Sequence, residues 1–294
     1  ICQGFHKNLR KPFSLMSEYD KIFHRASAFD CSFPLTGRKI YDFVPRKGSL
    51  TLMNDKFDLH THTLASGHAY STLAEMIQAA ASKGLELYGC TDHAPAMPGT
   101  LGSFYFQNFK VIPRKLHGIQ IIMGAELNIL DPTGKVDLPE STLARLDYGI
   151  ASIHPPCYSG KTMQENTSAY LKALENPFIQ IIGHPDDGRF PTDYETLAAA
   201  AAQHHKLLEV NNSSLSPRGF RANARQNYQT LLEYCRKYKA HIILDSDAHI
   251  CFDVGNHSYV HQLLEEMDFP EDLVVNTSLK KLAEFLPEGI FDPE

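Results

Sequence analysis

Histidine stands out in this sequence, and several copies fall in closely spaced pairs with one another or with aspartate. The 294 residues include 15 histidines. His60 and His62 form a His-x-His pair, and Asp247 and His249 form an Asp-x-His pair. Alternate residues of a regular strand point the same way, so His60 and His62 could chelate one metal ion. Either pair alone is weak evidence, because a histidine at a strand end more often serves as a hydrogen-bonded loop residue.

The elements that would position these residues alternate regularly from residue 55 onward. Short apolar or β-branched runs predict seven strands, near 56–60, 86–91, 119–125, 147–153, 178–183, 206–211 and 241–245. Helical stretches separate them, including Leu73–Ser82, Met163–Leu174, Tyr194–Gln203 and Asn223–Lys237. Such alternation predicts parallel βα units, with both sheet faces covered. A barrel and an open doubly wound sheet both remain open, although no GxGxxG or GxxxxGK[ST] motif follows the first strand.

Side chains that can bind metal recur where the predicted strands end. There are nine of them: His60, His62, His68, His93, Glu126, His154, His184, Asp247 and His249. In βα architectures the carboxyl ends of the strands converge on one rim, where active sites form. Nine ligands are too many for one zinc ion, which takes about four. The pattern therefore predicts a site for two or three metal ions.

The motifs that carry these residues resemble those of the PHP superfamily, named for polymerase and histidinol phosphatase. The matching segments are Asp58-Leu-His-Thr-His, Thr91-Asp-His, Gly124-Ala-Glu, Ile153-His, Gly183-His-Pro and Ser246-Asp-Ala-His. Within the superfamily the likeness is greatest to the YcdX-type phosphatases, through His68-Ala-Tyr-Ser-Thr-Leu, Glu126-Leu-Asn-Ile, Glu209-Val-Asn-Asn-Ser-Ser and Phe269-Pro-Glu-Asp. The resemblance extends from about residue 55 to residue 287.

This resemblance implies an α/β fold, a distorted (β/α)7 barrel with parallel strands and outer helices. It also implies three divalent metal ions, zinc in the first place, with manganese or iron as alternatives. Carried over residue by residue, the first ion would be held by His60, His62, Glu126 and Asp247, which would form the catalytic set. The second would be held by Glu126 as a bridge with His154 and His184, and the third by His68, His93 and His249.

The predicted function is that of a metal-dependent phosphatase acting on phosphate monoesters of small molecules. A phosphate monoester carries about two negative charges near neutral pH. Three divalent ions would meet only two protein carboxylates, Glu126 and Asp247, so positive charge would remain to balance the phosphate. The ions would lower the pKa of a bound water toward ~7 and so supply the nucleophile. Two alternatives stay open: a nuclease or nucleotide-processing phosphoesterase, and a non-catalytic metal-binding PHP module. The net charge of −6 argues against binding a nucleic-acid backbone.

Three further residues could bind the substrate. Arg189 and Arg218 are predicted in loops near the rim, where a guanidinium could pair with phosphate, although a solvated loop arginine is the simpler interpretation. Asn211 ends the sixth strand, which offers no metal ligand, and could bind substrate or fix a loop. Asp92 could orient a metal ligand or cap a helix.

Residues 1–52 differ from the rest of the chain. They are basic and show no sustained period of 2 or 3.6 residues. We expect an extension of unknown role, with a natural start at Met53 as one interpretation, followed by a hydrolase domain over residues 53–290. No apolar run approaches the roughly 20 residues that span a bilayer, and the scattered cysteines suit a reducing compartment. The expected setting is cytoplasmic, with no membrane or nucleic-acid partner and with a homo-oligomer left open.

Overall fold

The computed structural model describes residues 54–293, so the prediction for residues 1–52 lies outside the described part of the chain. Its strands are β1 (Phe57–Asp58), β2 (Leu87–Cys90), β3 (Lys115–Leu116), β4 (Ile119–Met123), β5 (Ala125–Asn128), β6 (Gly149–Ser152), β7 (Ile181–Ile182), β8 (Leu207–Asn211) and β9 (Ile242–Asp245). Its α-helices are α1 (Leu73–Ser82), α2 (Ser103–Gln107), α3 (Glu140–Leu143), α4 (Met163–Leu174), α5 (Tyr194–His204), α6 (Asn212–Leu215), α7 (Ala224–Tyr238), α8 (Ser258–Glu266) and α9 (Leu279–Ala283). Short 3-10 turns cover Leu64–Ser66, Phe109–Val111, Cys251–Asp253 and Glu271–Leu273.

The strands form two sheets, in the orders β1-β2-β4-β3 and β5-β6-β7-β8-β9. Every strand pairing is parallel except that of β3 with β4. Two isolated parallel bridges join the sheets on both sides, Thr61 with Ala248 and His93 with Glu126. The predicted α/β fold with parallel strands is confirmed, and the two bridges bring the sheets together as a distorted barrel.

The third predicted strand, 119–125, is divided in the structure at Gly124. Residues before it pair with β2, and residues after it pair with β6. A Cβ at Gly124 would lie 2.8 Å from the carbonyl oxygen of Tyr148 and 2.9 Å from its ring, so only glycine permits this approach. The bent strand therefore belongs to both sheets. The third of the seven predicted strands corresponds to two consecutive strands of the structure, β4 and β5.

A short hairpin precedes the bent strand and was not predicted from the sequence. Lys115 and Leu116 pair antiparallel with β4 through a two-residue turn, His117-Gly118, in which both residues have positive φ, 51° and 85°. Such turns match the twist of the strands that they join. The strand β3 has only two residues, which are too few for a strand pattern to be recognised in the sequence.

The four helices named from the sequence are present, with boundaries that agree within one residue. The helix α1 begins with a capping box, in which Thr72 and Glu75 each accept a hydrogen bond from the other's backbone N–H. The helix α4 begins with a second such box, formed by Thr162 and Glu165. None of the helices in residues 54–293 combines the length and the apolar character that a membrane span requires.

A separate apolar cluster fills the inside of the barrel. It takes side chains from β1, β2, β4, β6, β7, β8 and β9 and from the segment 275–286, which follows the last strand: Phe57, Leu59, Leu87, Ile122, Tyr148, Ile150, Ile181, Leu207, Ile243, Val275, Leu279, Leu282, Phe285 and Leu286. Strands on different sides of a barrel can meet only in its interior. The C-terminal segment therefore closes one end of the barrel, and the opposite end is free for the site.

We expect Gly89→Ala to destabilise the protein by about 1–3 kcal/mol, the usual range for overpacking a filled core. A Cβ at Gly89 would lie 2.1 Å from the Tyr148 hydroxyl and 2.9 Å from the Leu59 Cα. Gly102→Ala is the matched control, because a Cβ there meets nothing within 4 Å. Urea unfolding of the two variants measures the difference, and equal midpoints would contradict this account of the barrel interior.

Candidate active site

The strand ends bring all nine residues predicted from the sequence into one connected cluster. Four groups of three residues have every ligand atom within 4.8 Å of the others: His62, His93 and His249; His60, His62 and Asp247; His60, Glu126 and His184; and His93, Glu126 and His154. The ninth residue, His68, joins through its Nε2 atom, which lies 3.1 Å from Nε2 of His249.

Glu126 lies at the centre of the cluster, with five imidazoles around its carboxylate. Its Oε1 atom is 2.7 Å from His184 Nε2 and 3.1 Å from His154 Nε2. Its Oε2 atom is 2.6 Å from His93 Nδ1, with the Nε2 atoms of the first-strand pair at 3.3 and 3.5 Å. The contacts with His154 and His184 match the grouping that the resemblance implied. His93 was expected beside His68 and His249, and it contacts Glu126 as well.

Two of the nine residues have a backbone conformation that is unusual for their type. His184 has φ 28° and Asp247 has φ 55°, in or near the left-handed region that side chains rarely adopt. Backbone strain of this kind is found at functional sites, where surrounding contacts hold it in place. The backbone N–H of His184 donates to Glu209 Oε2 at 2.5 Å, which is one such contact.

Several ligand atoms in the cluster are buried and make no hydrogen bond. They are the Nε2 atoms of His60 and His62, Nδ1 of His93 and Oε2 of Glu126. The other ring nitrogen of His60, Nδ1, is fixed by a hydrogen bond with Glu209 Oε1 at 2.7 Å. Metal-binding histidines have this arrangement, with one nitrogen held by the protein and the other facing the ion. Imidazole and carboxylate donors together suit zinc and also admit manganese or iron, so the residues fit the metal ions that the sequence implied.

The electrostatics of the cluster keep its carboxylates charged. Burial alone would raise the pKa of Glu126, but His93, His154 and His60 outweigh it and hold that pKa well below its usual range. Burial also opposes the charged form of His60, yet Glu209, Glu126 and Asp247 raise its pKa well above the usual value. A strongly negative potential therefore surrounds His60, and such a potential attracts cations.

Asp92 positions the loop that follows β1 and does not cap a helix. Its carboxylate accepts hydrogen bonds from Thr63 N at 2.7 Å, Ser66 Oγ at 2.7 Å and Tyr105 Oη at 2.7 Å. The Ser66 hydroxyl in turn lies 3.0 Å from His62 Nδ1. Asp92 thus acts on His62 through Ser66, which agrees with the first of the two roles considered for it.

Glu209 was not assigned a site role from the sequence, and it proves to hold two members of the cluster. Its Oε1 atom is 2.7 Å from His60 Nδ1, and its Oε2 atom accepts the backbone N–H of His184. The side chain is fully buried within β8. The available signal was a carboxylate flanked by apolar residues within a strand, because a buried carboxylate needs partners.

Arg221 is a second residue that the sequence interpretation passed over. Its side chain is only 6% exposed, and its guanidinium contacts Asp247 Oδ2 at 3.2 Å and Ser214 Oγ at 2.8 Å. Asn211 is fully buried, and its Nδ2 atom donates to the same Asp247 oxygen at 3.1 Å. The structure therefore places Asn211 as a support for Asp247. No motif or spacing in the sequence marks Arg221, because its role depends on a contact with Asp247, which is 26 residues away.

A cavity of about 590 Å³ opens over the cluster, and three arginines line it. Arg189 makes bidentate contacts with Asp187, at 2.9 and 2.5 Å. Arg218 is 87% exposed, with Asp253 Oδ2 at 3.8 Å. The guanidinium carbons of Arg189 and Arg221 lie 5.4 and 5.2 Å from the centre of the exposed Phe220 ring. The rim therefore carries arginines, each near an aspartate that also lines the cavity, and an exposed aromatic ring.

We expect Glu209→Gln to weaken metal binding about 10- to 100-fold, the effect seen when the partner of a metal-binding histidine is lost. The amide would remove the negative charge that faces His60 Nδ1. Competition with a chromophoric chelator measures zinc affinity, and circular dichroism checks that the fold is retained. The exposed Glu288→Gln is the control. Unchanged affinity in Glu209→Gln would contradict the positioning role.

The PHP domain family model matches residues 58–216. A protein of Clostridium novyi described as a probable phosphatase is 42% identical over 229 residues, which cover 78% of this chain and 93% of that protein. A probable phosphatase of Caldicellulosiruptor saccharolyticus is 44% identical over 229 residues, 78% of this chain and 95% of the relative. These descriptions agree with the hydrolase class predicted from the sequence.

Two solved structures have a similar fold. One is histidinol phosphate phosphatase from Lactococcus lactis, complexed with zinc, L-histidinol and phosphate, with a TM-score of 0.50, 20% identity, and coverage of 74% of this chain and 95% of that chain. The other is a histidinol phosphatase of Listeria monocytogenes, with a TM-score of 0.51, 18% identity, and coverage of 70% and 99%. The match to the family model and the identity to these relatives together show that this chain belongs to the PHP domain family.

Proposed function

We propose that this protein is a metal-dependent phosphatase that hydrolyses phosphate monoesters of small molecules at a trinuclear site. The observation that carries the proposal is the buried cluster around Glu126, in which four closely spaced ligand atoms make no hydrogen bond. Burying so many imidazoles and carboxylates is costly unless a cation joins them.

Three divalent ions, with zinc preferred over manganese or iron, account for the number of ligands. We assign the first to His60, His62, Glu126 and Asp247, the second to Glu126, His154 and His184, and the third to His68, His93 and His249. Bound divalent ions supply activation of water as the nucleophile and stabilisation of the charge on the phosphate oxygens.

The side chains around the cavity support a phosphorylated substrate. Arg218 is nearly fully exposed and meets only a distant carboxylate, so its guanidinium is free to pair with phosphate oxygens. Arg189 is already engaged by Asp187 and is the weaker candidate. Arg221 contacts Asp247 from the cavity side and would keep that carboxylate oriented while the substrate binds.

The cavity itself favours a small molecule over a polymer. Its volume of about 590 Å³ falls within the range of roughly 300–1,000 Å³ that is usual for small-molecule pockets. The acidic balance of the chain adds to this argument, because a nuclease needs a basic surface for the backbone of its substrate. We therefore prefer small phosphate monoesters to nucleic acid.

The purified protein should release phosphate from an aryl phosphate, and a chelator should abolish the release. We expect His184→Ala to lower kcat/KM by about 100-fold or more, because loss of a ligand should exceed loss of its partner. The control is His204→Gln, an exposed histidine at the end of α5. Full activity of His184→Ala would contradict the proposal. Metal analysis should find at least three ions per chain, and fewer than two would exclude the trinuclear version.

We expect Arg218→Ala to raise KM about tenfold, equivalent to ~1.4 kcal/mol, with little change in kcat. The value of kcat should change little because the lost contact would stabilise the bound substrate and the transition state equally. The exposed Arg145→Ala serves as the control for loss of one positive charge. Steady-state kinetics at fixed ionic strength separate the two constants, and an unchanged KM would remove Arg218 from the binding site.

A further inference from the structure

Outside the catalytic cluster, a second group of metal-binding residue types converges on one carboxylate oxygen. Asp55 lies two residues before β1, and His257 immediately precedes α8. His261 follows four residues later, on the first turns of the same helix, and a spacing of four puts two side chains on one helical face. Asp55 Oδ2 is 2.8 Å from His257 Nδ1 and 2.6 Å from His261 Nε2.

This group is largely buried, and it leaves two polar atoms without hydrogen bonds. The His257 side chain is 1% exposed, that of Asp55 11% and that of His261 19%. The buried atoms Asp55 Oδ1 and His257 Nε2 make no hydrogen bond. The nearest carboxylate to His257 Nε2 is Asp58 Oδ1, at 3.8 Å. Unpaired buried polar atoms are rare in proteins, so each of these calls for a physical reason.

A divalent cation would bind the Asp55 carboxylate, whose Oδ1 atom is unpaired, and would fix the ring of His257. Two imidazoles and one carboxylate are a common zinc ligand set, and here the three ligand atoms lie within 4.8 Å of one another. The partly exposed side at His261 would admit water as the fourth ligand. With Nδ1 of His257 bound to the cation, its Nε2–H would face Asp58, the carboxylate–histidine–metal arrangement that fixes a ring.

We propose that Asp55, His257 and His261 form a separate site for a divalent cation of the zinc class, which ties the amino end of β1 to α8. This site is distinct from the catalytic cluster, because Asp55 precedes β1 whereas His60 and His62 follow it. Its role is structural, and it does not depend on the phosphatase function.

The rival interpretation is an ion-pair cluster without metal, in which both imidazoles donate hydrogen bonds to Asp55 Oδ2. Burial would lower the pKa of His257, but Asp55 and Asp58 outweigh it and raise that pKa to about 10. The same negative surroundings would favour either a proton or a metal ion. The two interpretations differ in one respect: only the metal site makes the stability contributed by these residues depend on zinc.

The test uses the full chain, stripped with a chelator, dialysed and titrated with zinc. We expect His261→Gln and Asp55→Asn each to bind about one zinc ion fewer than the unmodified protein. Their gain in Tm on adding zinc should be smaller by several degrees, as expected when a ligand no longer binds the folded state. Phosphate release from the aryl phosphate at saturating zinc should stay within about twofold, since neither residue contacts the catalytic cluster.

His204→Gln, on the exposed end of α5, is the control and should match the unmodified protein in zinc content and Tm. Equal zinc content in both site variants and the unmodified protein would overturn the proposal. A loss of Tm that is the same with zinc and with chelator would also overturn it, in favour of the ion-pair cluster. Because His261 is partly exposed, its variant should fold even if Asp55→Asn does not.

Discussion

The structure depends on one constraint, the burial of Glu126 among five imidazoles. A carboxylate without water is stable only when every atom around it has a partner or a compensating charge. The strands meet this demand from outside the cluster: Glu209 holds His60, Asn128 holds His154 at 2.8 Å, and the loop after β1 holds His62. Four inner atoms remain without hydrogen bonds, and our proposal places the cations at these atoms.

The architecture follows from the need to direct these groups to one point. Parallel strands bring their carboxyl ends to one rim, and the bend at Gly124 turns the strand that carries Glu126 from one sheet into the other. Without that bend, the strand segment that carries Glu126 would continue to pair with β2. The close approach of Tyr148 at the bend also links the barrel interior to the rim, since its hydroxyl donates to the Leu59 carbonyl at 2.6 Å, one residue before His60.

Much of this arrangement could be predicted from the sequence, because strand ends and ligand types coincide in successive units. The helix boundaries followed from the alternation of apolar runs with helical stretches. Glu209 and Arg221 could not be assigned in the same way. Their roles depend on which side chains face each other across the barrel, and a sequence pattern records position along one strand only. The division of the third strand was missed for a similar reason, because the clash that requires Gly124 comes from Tyr148 in a distant segment.

The C-terminal segment has a consequence for the order in which the chain can fold. Val275 donates its N–H to the Ile242 carbonyl, and the Asn276 carbonyl accepts from Lys56 N at the start of β1. Residues 275–286 therefore join the first and last strands and cover the apolar interior. Until they emerge from the ribosome, the barrel lacks its closing contacts and exposes that interior to water. A topology of this kind has many contacts between distant residues, which makes folding slow and leaves nascent chains dependent on protection from aggregation.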